Sequence, residues 1–224
     1  MITPTAKSHS ASAQSAQAPG AHARPRKQGN ALETRDRIVA LAQHLIQERG
    51  VNGFSYRDLA EAIGIKTASI HYYFPQKDDL LLAVMQAYHA KWRMLVDGLA
   101  AQPTGAAELR AYLARRAEAY GTGARVCLGA AMAADIASLP RAVRAAVQAF
   151  YLANEAWLTR VLERGRADGS LIVTGDVAQT ARAVYDALQG GLLSARLFGV
   201  DDRTQRLAPR LEPWVRETPA QDGR

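Results

Sequence analysis

Apolar residues recur with helical spacing along most of this chain. The segment from Glu33 to Arg49 carries apolar residues at the i, i+3, i+4 and i+7 positions of one helical face. These positions are Ile38, Leu41, Ala42 and Leu45. Gly50 follows as a residue that can end the helix. A second stripe, from Leu80 to Ala100, predicts a longer helix that a break at residues 103–105 ends.

Five further stretches with helical character follow this break, and glycines or prolines separate them. They are Ala106–Tyr120, Val126–Leu139, Arg141–Ala167, Val177–Leu197 and Thr204–Val215. No segment after the break has the pattern of a strand. The pattern therefore predicts an all-α protein whose C-terminal part is a helical bundle of about 120 residues.

Residues 55–74 predict two short helices joined by a tight turn. Ser55 is suited to an N-cap, and Asp58 three residues later completes a capping box. Gly64 can adopt the left-handed conformation that ends the first of these helices. In the second, about residues 67–74, we expect Ala68 and Ile70 to face inward. The spacing fits a helix-turn-helix, with an ordinary helical hairpin as the alternative.

This region resembles the DNA-binding signature of the TetR family of transcriptional regulators. The similar features are the RDLAEAIG run, the small residue Ala68, the Tyr73-Phe74 pair and a lysine three residues later, Lys77. The resemblance covers about residues 33–93. Two positions depart from it: Lys66 stands where the family usually has serine or threonine, and His71 stands where tyrosine is usual.

The resemblance implies a domain organisation. An N-terminal three-helix head with the helix-turn-helix, residues 33–93, would be joined by a long helix to a ligand-binding and dimerisation bundle at 94–216. Residues 1–31 contain four basic residues and no acidic one, and we expect a disordered basic tail there. This tail is either solvated or an arm that lies near DNA. Residues 217–224 are expected to be a disordered C-terminus.

Double-stranded DNA is the partner that the resemblance implies, as a pseudo-palindromic operator. A recognition helix in the major groove would turn its N-terminal residues toward base edges, and flanking residues would bind phosphates. The candidate base-reading residues are Lys66, Thr67, Ala68 and Ser69. The candidate phosphate contacts are Ser55, Tyr56, Arg57, His71, Tyr72 and Lys77. For each of these residues the alternative is exposure to solvent without contact.

A homodimer is the second partner implied by the family, because two recognition helices read more bases than one. The last two helices, Val177–Leu197 and Thr204–Val215, would form the interface. The first contains small residues that permit close helix approach: Ala187, Gly190, Gly191, Ser194 and Ala195. Packing of these residues within one subunit is the alternative.

The C-terminal bundle is expected to bind a small-molecule effector. Its segment RVCLGAAMAADIASLP is similar to a subgroup of TetR regulators that includes sensors of reactive electrophiles. Cys127 beside Arg125 at a helix start is therefore either a sensor thiol or a small core residue. Aromatic and methionine candidates for the ligand wall are Trp92, Tyr112, Tyr120, Met132, Tyr151, Trp157 and Tyr185. Plain core packing is the alternative for these residues.

Charge and cysteine content add limits to this interpretation. The net charge is +7, of which residues 1–31 supply +4, and residues 53–80 sum to −1. Bulk charge therefore does not identify a DNA-binding face. A single cysteine excludes an intramolecular disulfide and suits a reducing compartment. With no apolar run of membrane-spanning length and no signal-peptide pattern, we expect a cytoplasmic protein without membrane contact.

Enzymatic chemistry has little support in the sequence. The chain lacks HExxH, CxxC, P-loop and GxSxG patterns, and its five histidines are scattered, so we expect neither a metal nor a cofactor. Gly121-Thr-Gly123 resembles part of a phosphate loop but lacks a preceding strand, and a helix break is favoured. The hypothesis is a homodimeric transcriptional repressor released from DNA by a small-molecule or electrophilic effector. A helical ligand-binding or scaffolding protein without DNA binding and a cofactorless enzyme are the alternatives.

Overall fold

The computed structural model describes residues 26–120, 125–199 and 215–218, and this part of the chain is almost entirely helical. The helices are α1 (Arg26–Arg49), α2 (Tyr56–Ile63), α3 (Thr67–Tyr73), α4 (Lys77–Leu99), α5 (Gly105–Tyr120), α6 (Leu128–Ala134), α7 (Arg141–Ala167) and α8 (Val177–Phe198). The all-α prediction is confirmed. No helix within the described ranges is both long enough and apolar enough to cross a bilayer.

Helix α1 begins at Arg26, seven residues before the predicted start at Glu33. Residues 26–31 are therefore helical, which corrects the predicted disorder of that part of the tail; residues 1–25 lie outside the described ranges. Arg26, Lys27, Gln28, Ala31 and Leu32 have favourable helix propensity, which outweighs the less favourable Gly29 and Asn30 between them. The predicted apolar face is otherwise correct, since Ile38, Ala42 and Leu45 are buried and Leu41 is half-buried.

Helices α2 and α3 form the expected helix-turn-helix. The Ser55 hydroxyl accepts a hydrogen bond from the Asp58 backbone N–H, and the Asp58 carboxylate accepts one from the Ser55 N–H at 2.6 Å. Gly64 ends α2 with φ of 78°, in the left-handed region that glycine tolerates best. The capping box and the C-terminal glycine are thus confirmed.

Two apolar cores divide the molecule along helix α4. The first joins the N-terminal helices to α6 and the start of α7, through residues such as Ile46, Leu80, Leu128 and Phe150. The second lies between α4, α5, α7 and α8. Helix α4 contributes Leu80 and Val84 to the first core and Val96 and Leu99 to the second. A single rigid helix therefore connects the head with the C-terminal bundle.

A short antiparallel ribbon contradicts the prediction that nothing after the break forms a strand. Strand β1 (Leu171–Val173) pairs with β2 (Val215–Glu217), with Ile172 opposite Arg216. Val215 therefore ends no helix, and residues 217 and 218, predicted as disordered, pair with the chain near Ser170. Three-residue strands are too short to show a period, and their partner is distant in sequence. The rest of the predicted helix, residues 204–214, and residues 219–224 lie outside the described ranges.

The predicted helix Val126–Leu139 is shorter than expected. Helix α6 ends at Ala134, and a 3₁₀ turn at Ile136–Ser138 follows. Asp135 separates them, and its carboxylate accepts a hydrogen bond from the Val51 backbone N–H at 2.7 Å. This bond ties the end of α6 to the residue that follows α1 and Gly50, a tertiary contact that local sequence does not reveal.

Candidate DNA-binding surface and effector cavity

The N-terminal end of α3 is open to solvent. Lys66, Thr67 and Ala68 are exposed, and so are His71 and Tyr72 further along the helix. Lys66 is the N-cap residue, and its side chain makes no capping hydrogen bond. Its ammonium group is thus not held by the helix start and stays available to a partner.

Ala68 and Ser69 differ from expectation. Ala68 was predicted to face inward with Ile70, but it is exposed, whereas Ser69 is half-buried and Ile70 is fully buried. The reason is helical geometry: Ile70 and Phe74 define the buried side of α3, and Ala68 lies about 200° away from Ile70 around the axis. The Ala68 methyl group is therefore placed on the outer surface, where it can meet a thymine methyl group.

Tyr56 joins the two ends of the helix-turn-helix. Its hydroxyl lies 2.9 Å from the Phe74 carbonyl oxygen and 2.8 Å from that of Gln76, and its ring meets His71 edge-on at 4.8 Å. Burial, followed by the nearby Asp79 and Asp78 carboxylates, raises the pKa of Tyr56 to about 12. The hydroxyl proton is thus directed at the protein's own backbone, which makes Tyr56 a positioning residue for the start of α4.

Lys77, the first residue of α4, is half-buried. Its ammonium group donates to the Phe54 carbonyl oxygen at 2.8 Å and lies 4.2 Å from the centre of the Phe54 ring. Burial lowers the pKa of Lys77, and the charge of Asp58 opposes that effect. An ammonium group has three donors, so two remain for a phosphate at the edge of the head.

Ser55 and Arg57 flank the start of α2. The Ser55 hydroxyl donates to the Asp58 carboxylate at 2.8 Å, and exposed Arg57 pairs with Glu61 at 2.8 Å. Hydrogen bonds from Ser55 lower the pKa of Asp58. Both predicted phosphate ligands are therefore on the surface, but each has a carboxylate partner with which a phosphate must compete.

A second site is a cavity of about 170 Å³ between α4 and α5. Its wall is aromatic and basic. The lining residues are Tyr88, Lys91, Trp92, Leu95, Tyr112, Arg115, Arg116, Ala119, Tyr120 and Phe150. Three of the seven predicted wall residues, Trp92, Tyr112 and Tyr120, are therefore at this cavity.

The other four predicted wall residues lie elsewhere. Met132 is fully buried in the first core, and Trp157 and Tyr185 are buried in the second. Tyr151 is half-buried and lines a separate, more open depression of about 510 Å³ that includes Ile136 and Leu152. The structure thus places Met132, Trp157 and Tyr185 in the apolar cores and Tyr151 at a depression other than the α4–α5 cavity.

Arg116 is the central polar residue of the cavity that sequence reasoning missed. It donates to the Tyr112 hydroxyl and to the Gln189 side-chain oxygen, each at 3.4 Å, and lies 5.5 Å from the centre of the Tyr120 ring. Burial disfavours its charge, but the surrounding polar groups hold the pKa of Arg116 above its ordinary value. A signal was present, because Tyr112, Arg116 and Tyr120 are spaced four residues apart on one face of α5.

Cys127 lies directly before α6, as predicted, and is fully buried. The Tyr88 hydroxyl and the Gln189 side-chain amide each donate toward its sulfur at 3.5 Å. The described hydrogen bonds to the sulfur thus come from Tyr88 and Gln189, whereas sequence reasoning had placed Arg125 beside it. Tyr88 also contacts the Tyr120 hydroxyl, so these two cavity residues separate the cavity from the thiol.

The end of α1 is held by three groups from the C-terminal part. The buried Gln47 side chain donates to the Val126 carbonyl oxygen at 2.8 Å, one residue before Cys127. Arg196 of α8 donates to the Gln47 carbonyl oxygen at 3.0 Å and also to that of Glu48. Together with the Asp135–Val51 bond, these contacts connect α1 directly to α6 and α8.

Helix α8 carries an exposed apolar stripe. Leu193 is 44% exposed, Leu197 77%, and a Cβ atom added at Gly190 would meet no atom within 4 Å. Ala195, one of the predicted interface residues, is instead buried within its own subunit. Among the described residues no cluster of histidine, cysteine or acidic side chains suits a metal ion.

Comparisons with known proteins agree with the architecture. Residues 38–84 match the family described as bacterial regulatory proteins, tetR family, and residues 105–211 match the tetracyclin repressor-like C-terminal domain. The HTH-type transcriptional repressor NemR of Escherichia coli strain K12 is 23% identical over 169 residues, which cover 74% of this chain and 85% of NemR.

Solved structures give the same result. A TetR-family transcriptional regulator from Agrobacterium tumefaciens is 32% identical with a TM-score of 0.79, covering 84% of this chain and all of that one. A TetR transcriptional regulator from Legionella pneumophila is 31% identical with a TM-score of 0.73, covering 80% and 96%. The predicted resemblance is thereby confirmed, and the chain belongs to the TetR family of transcriptional regulators.

Proposed function

We propose that this regulator is a homodimeric repressor that binds a pseudo-palindromic operator and leaves it when an effector occupies the cavity between α4 and α5. The observation that carries the proposal is the course of α4. The helix begins at Lys77 in the DNA-binding head and supplies Tyr88, Lys91, Trp92 and Leu95 to the cavity. A ligand that displaces these residues therefore acts on the same rigid rod that orients the head.

DNA contact is assigned to the exposed face of the helix-turn-helix. Lys66, Thr67, Ala68 and Ser69 at the start of α3 would meet base edges in the major groove. Phosphates would be bound by exposed His71 and Tyr72 and by the two remaining donors of Lys77. Ser55 and Arg57 would contribute from the start of α2, whereas Tyr56 would act mainly by fixing the junction of α3 and α4.

Dimerisation is assigned to the outer face of α8. Gly190, Leu193 and Leu197 are spaced three or four residues apart and leave an apolar strip with room for a neighbouring helix. Leucine side chains on such a strip are stabilised when a second copy covers them. A two-fold axis through this face would place two recognition helices on one side of DNA.

Effector release needs two arrangements of the head relative to the bundle. Tyr88 lies about 16 Å along α4 from Lys77, taking a rise of about 1.5 Å per residue. A second connection runs from the Cys127 region through Val126 to Gln47 of α1. Occupation of the cavity would move α4 and this contact together, and the two heads would no longer match the spacing of the operator.

The effector is either a reversible ligand of the cavity or an electrophile that modifies Cys127. The second route is supported by the position of the sulfur, which accepts a hydrogen bond from the wall residue Tyr88 and another from Gln189, itself bonded to the wall residue Arg116. An adduct on the sulfur would displace Tyr88 and Gln189 and so change the same packing as a reversible ligand does.

Operator binding is tested by gel shift and fluorescence anisotropy with the DNA upstream of the protein's own gene. We expect retention over random DNA and half-site centres about 34–36 Å apart or a multiple of that distance. Lys77→Ala should weaken binding to all sequences and lower the salt dependence by about one unit of slope. Thr67→Ala should change base preference instead, and Arg144→Ala, an exposed position on α7, should change neither.

Two results would contradict the proposal. If no upstream or genomic fragment is retained over random DNA at moderate salt, the chain is a ligand-binding protein without operator binding. If Lys77→Ala and Thr67→Ala change random and operator DNA binding equally, the assignment of phosphate and base contacts is wrong.

A further inference from the structure

The wall of the α4–α5 cavity is basic as well as aromatic. Lys91, Arg115 and Arg116 line it, and no lining residue is acidic. Arg115 is exposed and pairs with Glu118 at 3.2 Å, so its charge is balanced at the surface. Arg116 has no such partner among the described ion pairs, which leaves an unbalanced cation at the cavity wall.

The partners of Arg116 are all neutral. Two of its guanidinium nitrogens reach the Tyr112 hydroxyl and the Gln189 side-chain oxygen at 3.4 Å, which is long for hydrogen bonds. Its Nε atom is buried and has no hydrogen-bond partner in the described structure. The guanidinium also lies over the Tyr112 and Tyr120 rings, 5.7 and 5.5 Å from their centres, but it has no carboxylate partner in the described structure, although buried charges are normally paired.

The same protein pairs another buried charge fully. Glu108 is fully buried, and its two carboxylate oxygens accept hydrogen bonds from Arg160 at 3.0 Å and from Arg164 at 2.8 Å. Arg116 lies on the same helix, α5, two turns away. The fold therefore neutralises the buried charge of Glu108, whereas no carboxylate in the described structure pairs with Arg116.

A second unpaired donor lies in the same wall. The indole N–H of Trp92 is buried and has no hydrogen-bond partner in the described structure. Both the indole N–H and the arginine Nε–H are donors only, so neither can satisfy the other. Acceptor oxygens are the groups that such donors lack, and an aromatic occupant of the cavity would pack against Phe150 and the tyrosines.

We propose that the cavity binds a small aromatic carboxylate, with its carboxylate held by Arg116 and its ring between α4, α5 and Phe150. The inference names the ligand class of the effector site and so rests on the proposed function. The volume fits one ring with its acid group, since a cavity of about 150 Å³ holds benzene and this one measures about 170 Å³. The carboxylate would replace two long neutral contacts by charge-assisted hydrogen bonds.

Calorimetric titration of the full-length protein without DNA tests the proposal. The probes are benzoate, 4-hydroxybenzoate and phenylacetate, each beside its neutral carboxamide. We expect at least one acid to bind and its amide to bind at least about ten-fold more weakly. Arg116→Gln should weaken binding of the acid by about ten-fold or more, whereas Arg144→Gln, which removes an exposed charge on α7, should leave it within about two-fold.

Circular dichroism shows whether the Arg116→Gln variant folds. If the variant does not fold, the comparison of acid and amide binding to the unchanged protein tests the proposal instead. The proposal is overturned if no acid binds at millimolar concentration, if acid and amide bind equally, or if folded Arg116→Gln binds the acid as tightly as the original protein. Because DNA is absent, failure of the two proposals can be told apart. If the protein binds the acid but no operator, the proposed repressor function is wrong. If it binds the operator but no acid, the proposed carboxylate site is wrong.

Discussion

At the scale of single residues, Cys127 is both a buried core residue and a candidate reactive thiol. Its sulfur is fully buried, yet two donors point at it and one of them belongs to the cavity wall. A reagent must therefore pass Tyr88 and Tyr120 before it reaches the thiol.

We predict that Cys127→Ser keeps operator binding but loses release by a small alkylating quinone or aldehyde. Serine is nearly isosteric and can accept the same two hydrogen bonds, whereas its hydroxyl is a poor nucleophile without an activating base. Fluorescence anisotropy of labelled operator measures release, and mass spectrometry measures the rate of thiol modification at neutral pH. A mutant that releases normally, or a native thiol slower than free cysteine, would leave Cys127 as a core residue.

The site residues show which functional positions can be predicted from a single sequence. Trp92, Tyr112 and Tyr120 were found because aromatic residues on inner helices are cavity candidates by type alone. Arg116 was missed because arginine is normally exposed, and only the fold shows that its partners are neutral. The sequence predicts a phosphate contact at Tyr56, but it does not show the carbonyl groups of Phe74 and Gln76 beside the hydroxyl.

At the scale of helices, local signals fixed some boundaries and tertiary contacts fixed others. The bounds of α7, Arg141–Ala167, were predicted correctly because Pro140 precedes it and Gly169 follows it. The predicted ends of α6 were wrong, and the two strands were not predicted. Both differences arise because Asp135 and Val215 owe their conformation to partners more than 40 residues away. Sequence periodicity reports which face is buried, not which distant residue caps an end.

Arg196 tests whether the end of α1 depends on α8. Its guanidinium donates to carbonyl groups at the C-terminal end of α1, which the helix itself leaves without partners. We predict that Arg196→Ala lowers the free energy of unfolding by about 1.5–3 kcal/mol, the range for hydrogen bonds to a charged group. Urea denaturation checks the value, and hydrogen exchange should increase in the last turn of α1.

Arg182 provides the matched control on the same helix. It forms an ion pair with Glu155 at 3.2 Å, but its side chain is 62% exposed. Exposed pairs contribute less than about 1 kcal/mol, so Arg182→Ala should change stability little and leave exchange in α1 unaltered. An equal loss of unfolding free energy in both variants would mean that Arg196 contributes no more than an exposed ion pair does, and that α8 does not stabilise the end of α1.

At the scale of the whole molecule, the proposed function depends on two heads held at one spacing. Each head is bonded to its own bundle through α4 and through the end of α1, so movement within a bundle changes the position of its head. Two copies are needed for that movement to matter, because a single head can follow the DNA surface. In the proposed dimer, the apolar strip on α8 is therefore as necessary for effector release as the cavity is.

Leu197→Glu tests this arrangement directly. Leu197 is 77% exposed, and a carboxylate there would face its symmetry-related copy or an apolar surface, where a buried unpaired charge is strongly unfavourable. We expect a monomer by light scattering, with circular dichroism unchanged because the residue supports nothing within its own subunit. Operator affinity should fall by about a hundred-fold or more, since one half-site is bound without the other.

Met94→Glu, at a residue 75% exposed on α4, is the matched control and should stay dimeric. A dimer that survives Leu197→Glu with full operator affinity would place the two-fold axis on another face.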